Sequence, residues 1–199
     1  VNVSKPFNNE IIIINNFLSE DQINSIFNSV DVNNKVNYKY VNSSEYFNNK
    51  LIQLPTENNT EGSSSGAGDH IAVLEYLKNK NNFIKRLEKV LLEISKESFF
   101  IKGHDFLVEA EGKGMPVHFD DSPEITEITM HYGVVLYLND NYEGGEIYYP
   151  KLNLQYKPKA GDMVIHPGTE EYSHGVKDIS NGKRYVITLF AYTKNESSL

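Results

Sequence analysis

Cysteine is missing altogether from the 199 residues, which removes disulfides, zinc knuckles, iron–sulfur clusters and thiol nucleophiles together. Any metal in this chain must therefore be held by imidazole and carboxylate. Long apolar runs are missing too; residues 11–14 make a run the size of a strand, far short of a bilayer span. No charged-then-apolar leader opens the sequence, so a cytoplasmic chain with no membrane anchor is the expectation. Basic residues are in deficit: 19 Lys and Arg against 27 Asp and Glu leave a formal net charge of -8. That balance argues against a phosphate-binding surface and hence against a nucleic-acid partner. No internal repeat is visible. Hydrophobic residues at 39% and charged residues at 23% are the proportions of a folded globular protein, and the length suits one domain over residues 1–199 with one sizeable core.

The layout runs from helices to strands. Residues 10–14 read as a strand. Ser19-Glu20-Asp21-Gln22 is a capping box, because the Ser19 hydroxyl can accept from the backbone N–H of Gln22 while Gln22 reaches back. It opens a helix with Ile23, Ile26, Phe27 and Val30 on one stripe. Residues 56–69, rich in Gly and Ser, read as a polar surface loop and a candidate lid. A second helix is expected near residues 71–77. A third places Ile84, Leu87, Val90, Leu91 and Ile94 at helical spacing, one face built to pack on a sheet. From Phe106 onward the pattern is short strands, clearest at residues 129–138, 146–149, 154–158, 162–166 and 184–192, punctuated by Asn139-Asp140, Gly144-Gly145, Ala160-Gly161 and Asn181-Gly182. Helical support over about 17–97 and a strand-rich core over about 100–194 predict a mainly β fold, an antiparallel sandwich or barrel with N-terminal helices packed on one sheet.

His118-Phe119-Asp120 places an imidazole and a carboxylate at i and i+2, which on extended chain point to the same side. His174, following a later strand, would complete two imidazoles and one carboxylate on one face of a metal. Such a set leaves positions open and suits non-heme Fe(II) oxygen chemistry.

The motifs around that trio occur in a recognisable order: His118 and Asp120, Tyr137-Leu138-Asn139, Gly144-Gly145-Glu146, Gly161-Asp162-Met163-Val164, His174-Gly175-Val176 and Gly182-Lys183-Arg184-Tyr185. In that order the stretch from His118 to Thr193 resembles the catalytic core of Fe(II)- and 2-oxoglutarate-dependent oxygenases, specifically the prolyl-4-hydroxylase-like branch. The apolar strand followed by Phe17-Leu18-Ser19 is similar to the way that family begins. The resemblance implies a double-stranded β-helix, a jelly-roll or cupin-like core. It implies iron at His118, Asp120 and His174, 2-oxoglutarate and O₂ as co-substrates, and ascorbate as a candidate reductant. Arg184 would then grip the distal carboxylate of 2-oxoglutarate with its planar fork. Tyr137 would donate to the same carboxylate, and Thr188, on the same strand face, would add a hydroxyl or hold a water. His131, sharing strand parity with Tyr137, is a candidate substrate contact at the pocket mouth. Gly144-Gly145 reads as a tight turn with positive φ, Asp121 as a neighbour of the ligand or a solvent-facing acid, and His166 as packing. His70 and His104 fall outside the motif.

One departure stands out. Where prolyl hydroxylases carry a second tyrosine for 2-oxoglutarate, this chain reads Phe106-Leu107-Val108-Glu109. The implied reaction is hydroxylation of an unactivated C–H bond with release of succinate and CO₂. A peptidyl residue such as proline is the first expectation for substrate. A free amino acid or other small molecule is the second, and a catalytically silent metal-binding β-helix used for recognition is the reading from a different class. The AlkB-like branch has a second arginine where this chain has Phe190, which again argues against nucleic acid.

Overall fold

A computed structural model describes residues 3–4, 10–30, 39–42, 50–53, 83–109, 114–120 and 130–193. The expected helix near 71–77, the loop at 56–69, His70 and Asp121 lie outside the described residues. Thirteen strands and two α-helices are described, in the order β1 (Val3–Ser4), β2 (Ile12–Ile14), α1 (Glu20–Val30), β3 (Lys39–Asn42), β4 (Lys50–Gln53), α2 (Phe83–Ser95), β5 (Phe99–Glu109), β6 (Met130–Tyr137), β7 (Glu143–Gly144), β8 (Ile147–Tyr149), β9 (Leu154–Tyr156), β10 (Met163–Pro167), β11 (Gly175–Val176), β12 (Ile179–Asn181) and β13 (Arg184–Thr193). Two 3₁₀ turns occupy Pro150–Leu152 and Glu170–Tyr172.

An eight-stranded sheet runs β1-β2-β10-β6-β13-β5-β4-β3, and smaller sheets run β11-β8-β9 and β12-β7. Every pairing is antiparallel. The central strand β6 follows period-two alternation. Val134, Leu136 and Leu138 join Ile12, Ile14, Ile165, Ile187 and Leu189 in the core beneath the helices. Val135 and Tyr137 join Ile11, Ile13, Ile147, Tyr149, Val164, Tyr172 and Val186 in a second core between the sheets. This is the double-stranded β-helix expected from the sequence, with helices covering one face of the larger sheet.

The helices form where their stripes and caps direct. Ser19 N–H donates to Gln22 Oε1 at 3.0 Å, and Gln22 N–H donates to Ser19 Oγ at 3.3 Å, the reciprocal bonds of the capping box. Ile23 and Ile26 are buried, and Phe27 packs edge-on against Tyr185 with ring centroids 5.2 Å apart. In α2, Leu87 and Leu91 are fully buried. Arg86 ties that helix to the turn after β2, donating to the Phe17 carbonyl at 2.6 Å while its guanidinium lies 4.3 Å from the Phe17 ring.

Two differences from the sequence reading concern extent. The strand-rich part begins at Phe99 rather than Phe106. Within the stretch expected to be helical support, β3 and β4 form a hairpin that extends the large sheet beyond β5. Lys39-Tyr40-Val41-Asn42 and Lys50-Leu51-Ile52-Gln53 each set two apolar residues side by side, so neither alternates. Among the described residues no helix is long and apolar enough to cross a membrane.

Gly161-Asp162 explains how the N-terminal strand is held. Asp162 is buried, and its Oδ1 accepts from Asn15 Nδ2 (3.2 Å) and Asn16 N–H (3.3 Å). Its Oδ2 accepts from the Tyr156 hydroxyl (2.6 Å) and Lys159 N–H (3.0 Å). A buried carboxylate needs that many donors, because desolvation would otherwise make its charge costly. Gly161 has a φ of +86°, and its carbonyl oxygen accepts from Leu18 N–H at 3.1 Å. The motif is thus a structural clamp between the β2–α1 turn and the start of β10.

Candidate active site

The segment before Asp120 pairs with the segment around β11. Val176 N–H donates to the Met115 carbonyl at 3.0 Å, and His118 and His174 exchange both backbone hydrogen bonds at 2.9 and 2.8 Å. A hydrogen-bonded antiparallel pair puts both side chains on one face of the ladder, so the two imidazoles meet with ring centroids 4.6 Å apart. A backbone bridge, rather than side-chain flexibility, sets their separation.

Asp120 closes the group. Its Oδ1 lies 3.7 Å from His118 Nε2 and 3.8 Å from His174 Nε2, and one donor atom from each of the three residues falls within 4.8 Å of the others. The tautomers follow from the remaining ring nitrogens. His118 Nδ1 is 2.9 Å from the Pro116 carbonyl and His174 Nδ1 is 3.1 Å from the Tyr172 carbonyl. A carbonyl only accepts, so both Nδ1 atoms carry hydrogen, which leaves each Nε2, on the side of Asp120, as the nitrogen available to a metal.

The electrostatics favour the protonation states that bind metal. Burial alone would raise the Asp120 carboxyl, but the hydrogen bond from His166 and the fields of His166, His174 and His118 bring it down to about 2. Burial drives His174 well below the ordinary imidazole range, and His166, His118 and Arg184 push the same way against the opposing pull of Asp120. Near neutrality one oxyanion thus faces an imidazole that remains a lone-pair donor. The donor set fits a divalent transition metal with open positions.

His166, read as packing from the sequence, sits against this group. It is fully buried, its Nε2 is 3.0 Å from Asp120 Oδ2, and its Nδ1 is 2.9 Å from the Tyr149 hydroxyl. Its ring centroid is 4.1 Å from that of His174. Directly across the β10–β6 ladder is Gly133. A Cβ there would overlap Asp120 Oδ2 and lie 2.6 Å from His166 Nε2. Glycine in a strand interior costs about 0.5–1 kcal/mol relative to alanine, so space for the carboxylate is kept at the expense of strand stability. Period two offered the one available signal: His166 shares parity with inward-facing Val164.

Arg184 and Tyr137 occupy the same inter-sheet interior. Both are buried, and the Arg184 guanidinium carbon is 5.3 Å from the Tyr137 ring centre. On β13, Arg184, Val186 and Thr188 share parity; Val186 pairs with Tyr137 and half-buried Thr188 with Val135. Asn139 fixes the start of that strand. Its Nδ2 donates to the Lys183 carbonyl at 2.7 Å and its Oδ1 accepts from Tyr185 N–H at 2.8 Å, so it grips the backbone on both sides of Arg184. The turns beside it carry positive φ at Gly144, Gly145 and Gly182, and Lys157 donates to the Gly144 carbonyl and lies 3.7 Å from the Tyr142 ring centre.

His131 lies beside a register shift between Ala191 and Tyr192 in the β13–β6 ladder. Its ring stands edge-on to Phe99 at 5.8 Å, and Phe99 belongs to the helix-facing core. The departure at Phe106–Glu109 falls on β5, where the backbone register pairs Leu107 with Val186 and Glu109 with Arg184.

Comparison with known proteins agrees with this geometry. The model of the 2OG-Fe(II) oxygenase superfamily matches residues 105–192. Human prolyl 3-hydroxylase 2 is 32% identical over an alignment of 91 residues that covers 38% of this chain and 13% of that protein. The chain thus matches only a small part of the length of its curated relatives. Among solved structures, the 2OG complex of viral collagen prolyl hydroxylase from Paramecium Bursaria Chlorella virus-1 superposes with a TM-score of 0.65 at 15% identity, over 93% of this chain and 97% of that one. The prolyl hydroxylase of Trichoplax adhaerens, solved with a hypoxia inducible factor peptide fragment, gives 0.64 at 18% identity over 94% and 84%. At these identities the structural likeness speaks for the fold.

Proposed function

We propose that this chain is a member of the 2OG-Fe(II) oxygenase superfamily and of its prolyl-hydroxylase-like branch, supported by the matches above, and that it is a dioxygenase hydroxylating a peptidyl residue, proline above all. The observation that carries this reading is the convergence of His118 Nε2, His174 Nε2 and Asp120 Oδ1 on one point of the inter-sheet interior. We take residues 1–199 as a single oxygenase domain.

Each residue has a distinct task in this reading. His118, Asp120 and His174 hold Fe(II) and leave positions open on its far side. Arg184 binds the distal carboxylate of 2-oxoglutarate through a charge-assisted, two-point contact, with Tyr137 donating to the same group and Thr188 beside it. Burial of Arg184 strengthens that contact, since few waters compete with the carboxylate. The bound iron and 2-oxoglutarate supply the oxidising chemistry: O₂ is consumed, 2-oxoglutarate becomes succinate and CO₂, and one oxygen atom enters the substrate C–H bond. The protein's own share is orientation, charge and exclusion of water.

A peptide is favoured as substrate because prolyl hydroxylases recur among the relatives, one of them solved with a peptide fragment bound. The test is incubation of the protein with Fe(II), 2-oxoglutarate, O₂ and proline-containing peptides, with free proline in parallel. Mass spectrometry is expected to show one added oxygen on a peptidyl proline for each substrate-dependent succinate. Oxygen gain on the free amino acid alone, or on none of the samples, would overturn the peptidyl assignment.

A further inference from the structure

The geometry points to His166 as a positioning residue for the metal site: with Tyr149 behind it and Gly133 opposite, it captures Asp120 Oδ2 and so confines Asp120 to metal binding through Oδ1 alone. This inference rests on the reading that His118, Asp120 and His174 hold a metal.

Three observations meet here. His166 Nε2 lies 3.0 Å from Asp120 Oδ2, while Oδ1, 3.7 and 3.8 Å from the two other donor nitrogens, faces the common point. The two carboxylate oxygens are therefore divided between different partners. Next, the direction of hydrogen bonding is settled by chemistry. A carboxylate that ligates a metal only accepts, so His166 Nε2 carries hydrogen; in the neutral ring Nδ1 then accepts from the Tyr149 hydroxyl 2.9 Å away. Tyr149 is itself buried, with its ring 5.7 Å from that of His174. Last, the space is built for the pair. Gly133 stands opposite His166 on the neighbouring strand, and a Cβ there would displace both the Asp120 carboxylate and the imidazole.

The consequence concerns coordination. A carboxylate with both oxygens available can chelate a metal and occupy two positions; one with Oδ2 held by an N–H occupies one. The Tyr149–His166 pair thus preserves an open position that co-substrate or O₂ needs. Partners of this kind orient ligands and tune their donor strength, and their loss typically weakens metal binding by about 10–100-fold.

The probe is Co(II), titrated anaerobically into the wild-type chain and three variants and followed by calorimetry and visible absorption, with thermal unfolding of the metal-free proteins alongside. His166→Phe keeps the ring and removes both nitrogens; it is expected to weaken Co(II) binding about 10–100-fold and to alter the spectrum as Asp120 adds its second oxygen. His166→Gln, which returns an N–H near the Nε2 position, is expected to restore wild-type affinity and spectrum. Tyr149→Phe keeps every ring in place and is expected to give a smaller loss in the same direction, so it carries the test if His166→Phe fails to fold. Unchanged affinity and spectrum in His166→Phe, or in Tyr149→Phe where the former is unfolded, overturns the positioning role while leaving the metal site standing. A wild-type chain that binds no Co(II) overturns the metal reading and this inference with it.

Discussion

On one side of β6, Val134, Leu136 and Leu138 pack with residues of α1 and α2 in an apolar core. On the other, Gly133, Val135 and Tyr137 face an interior that also holds Asp120, His166, His174 and Arg184. The two faces alternate residue by residue along the same strand, so a slip of one position would exchange them. The helix-facing side supplies apolar burial, at about 25 cal/mol per Å² removed from water. The inter-sheet side gives up part of that gain to keep charged and polar groups dry, where each is worth more to a ligand. Stability and chemistry are thus drawn from the same strands and separated by parity.

The sharpest way to break this division is to remove a donor from the inner face. His118→Ala, Asp120→Ala and His174→Ala are each expected to abolish turnover and to leave Fe(II) binding too weak to saturate, as read by anaerobic titration. The outer face should respond in the opposite sense. Leu87→Ala, at a fully buried position of α2, is expected to cost about 2–5 kcal/mol of stability in denaturant unfolding, with the metal affinity of the folded protein unchanged. Coupled losses of both quantities in Leu87→Ala would show that the faces are not independent.

Within the inner face, the two ends of the site can be told apart. Arg184→Ala should raise the 2-oxoglutarate requirement by about 10–1000-fold, on the order of 2–4 kcal/mol, with iron affinity little altered. An unchanged 2-oxoglutarate titration would assign the distal carboxylate to another residue. Asn139→Ala is expected to act in the same direction and more weakly, by about 1 kcal/mol. It loosens the backbone on both sides of Arg184 and touches neither ligand. A change in iron affinity without one in 2-oxoglutarate affinity would contradict that role.

Much of this division is legible in the chain itself. The stripes of α1 and α2 and the alternation in β6 and β13 are local patterns many residues long, and the reciprocal capping box at Ser19 and Gln22 is a compact signature of residue types. His118 and Asp120 are close in sequence, and His174 and Arg184 fall in the motif order that marks the rest of the site. What escapes the sequence depends on contacts between distant segments. The bond from His166 to Asp120 joins residues 46 positions apart, and nothing beside His166 announces it. Its strand parity with Val164 is the cue, and parity alone does not separate a hydrogen-bonding histidine from a packed one. His131 shares parity with Tyr137 in the sequence, and in the fold it lies beside the irregular register between Ala191 and Tyr192 with its ring edge-on to Phe99. The pair of β3 and β4 escapes because neither strand alternates apolar with polar residues.

Succinate release from 2-oxoglutarate, measured with Fe(II) and O₂ in the wild-type chain and in Asp120→Ala, tests the iron site most directly. Asp120 supplies the one carboxylate of the donor set and its removal leaves the outer core untouched. The wild type is expected to form succinate in proportion to bound iron and Asp120→Ala to form none, while both unfold as cooperative, folded proteins. Succinate formed by Asp120→Ala at the wild-type rate, or its absence from iron-saturated wild type, would contradict the assignment of the inter-sheet interior as an oxygenase active site.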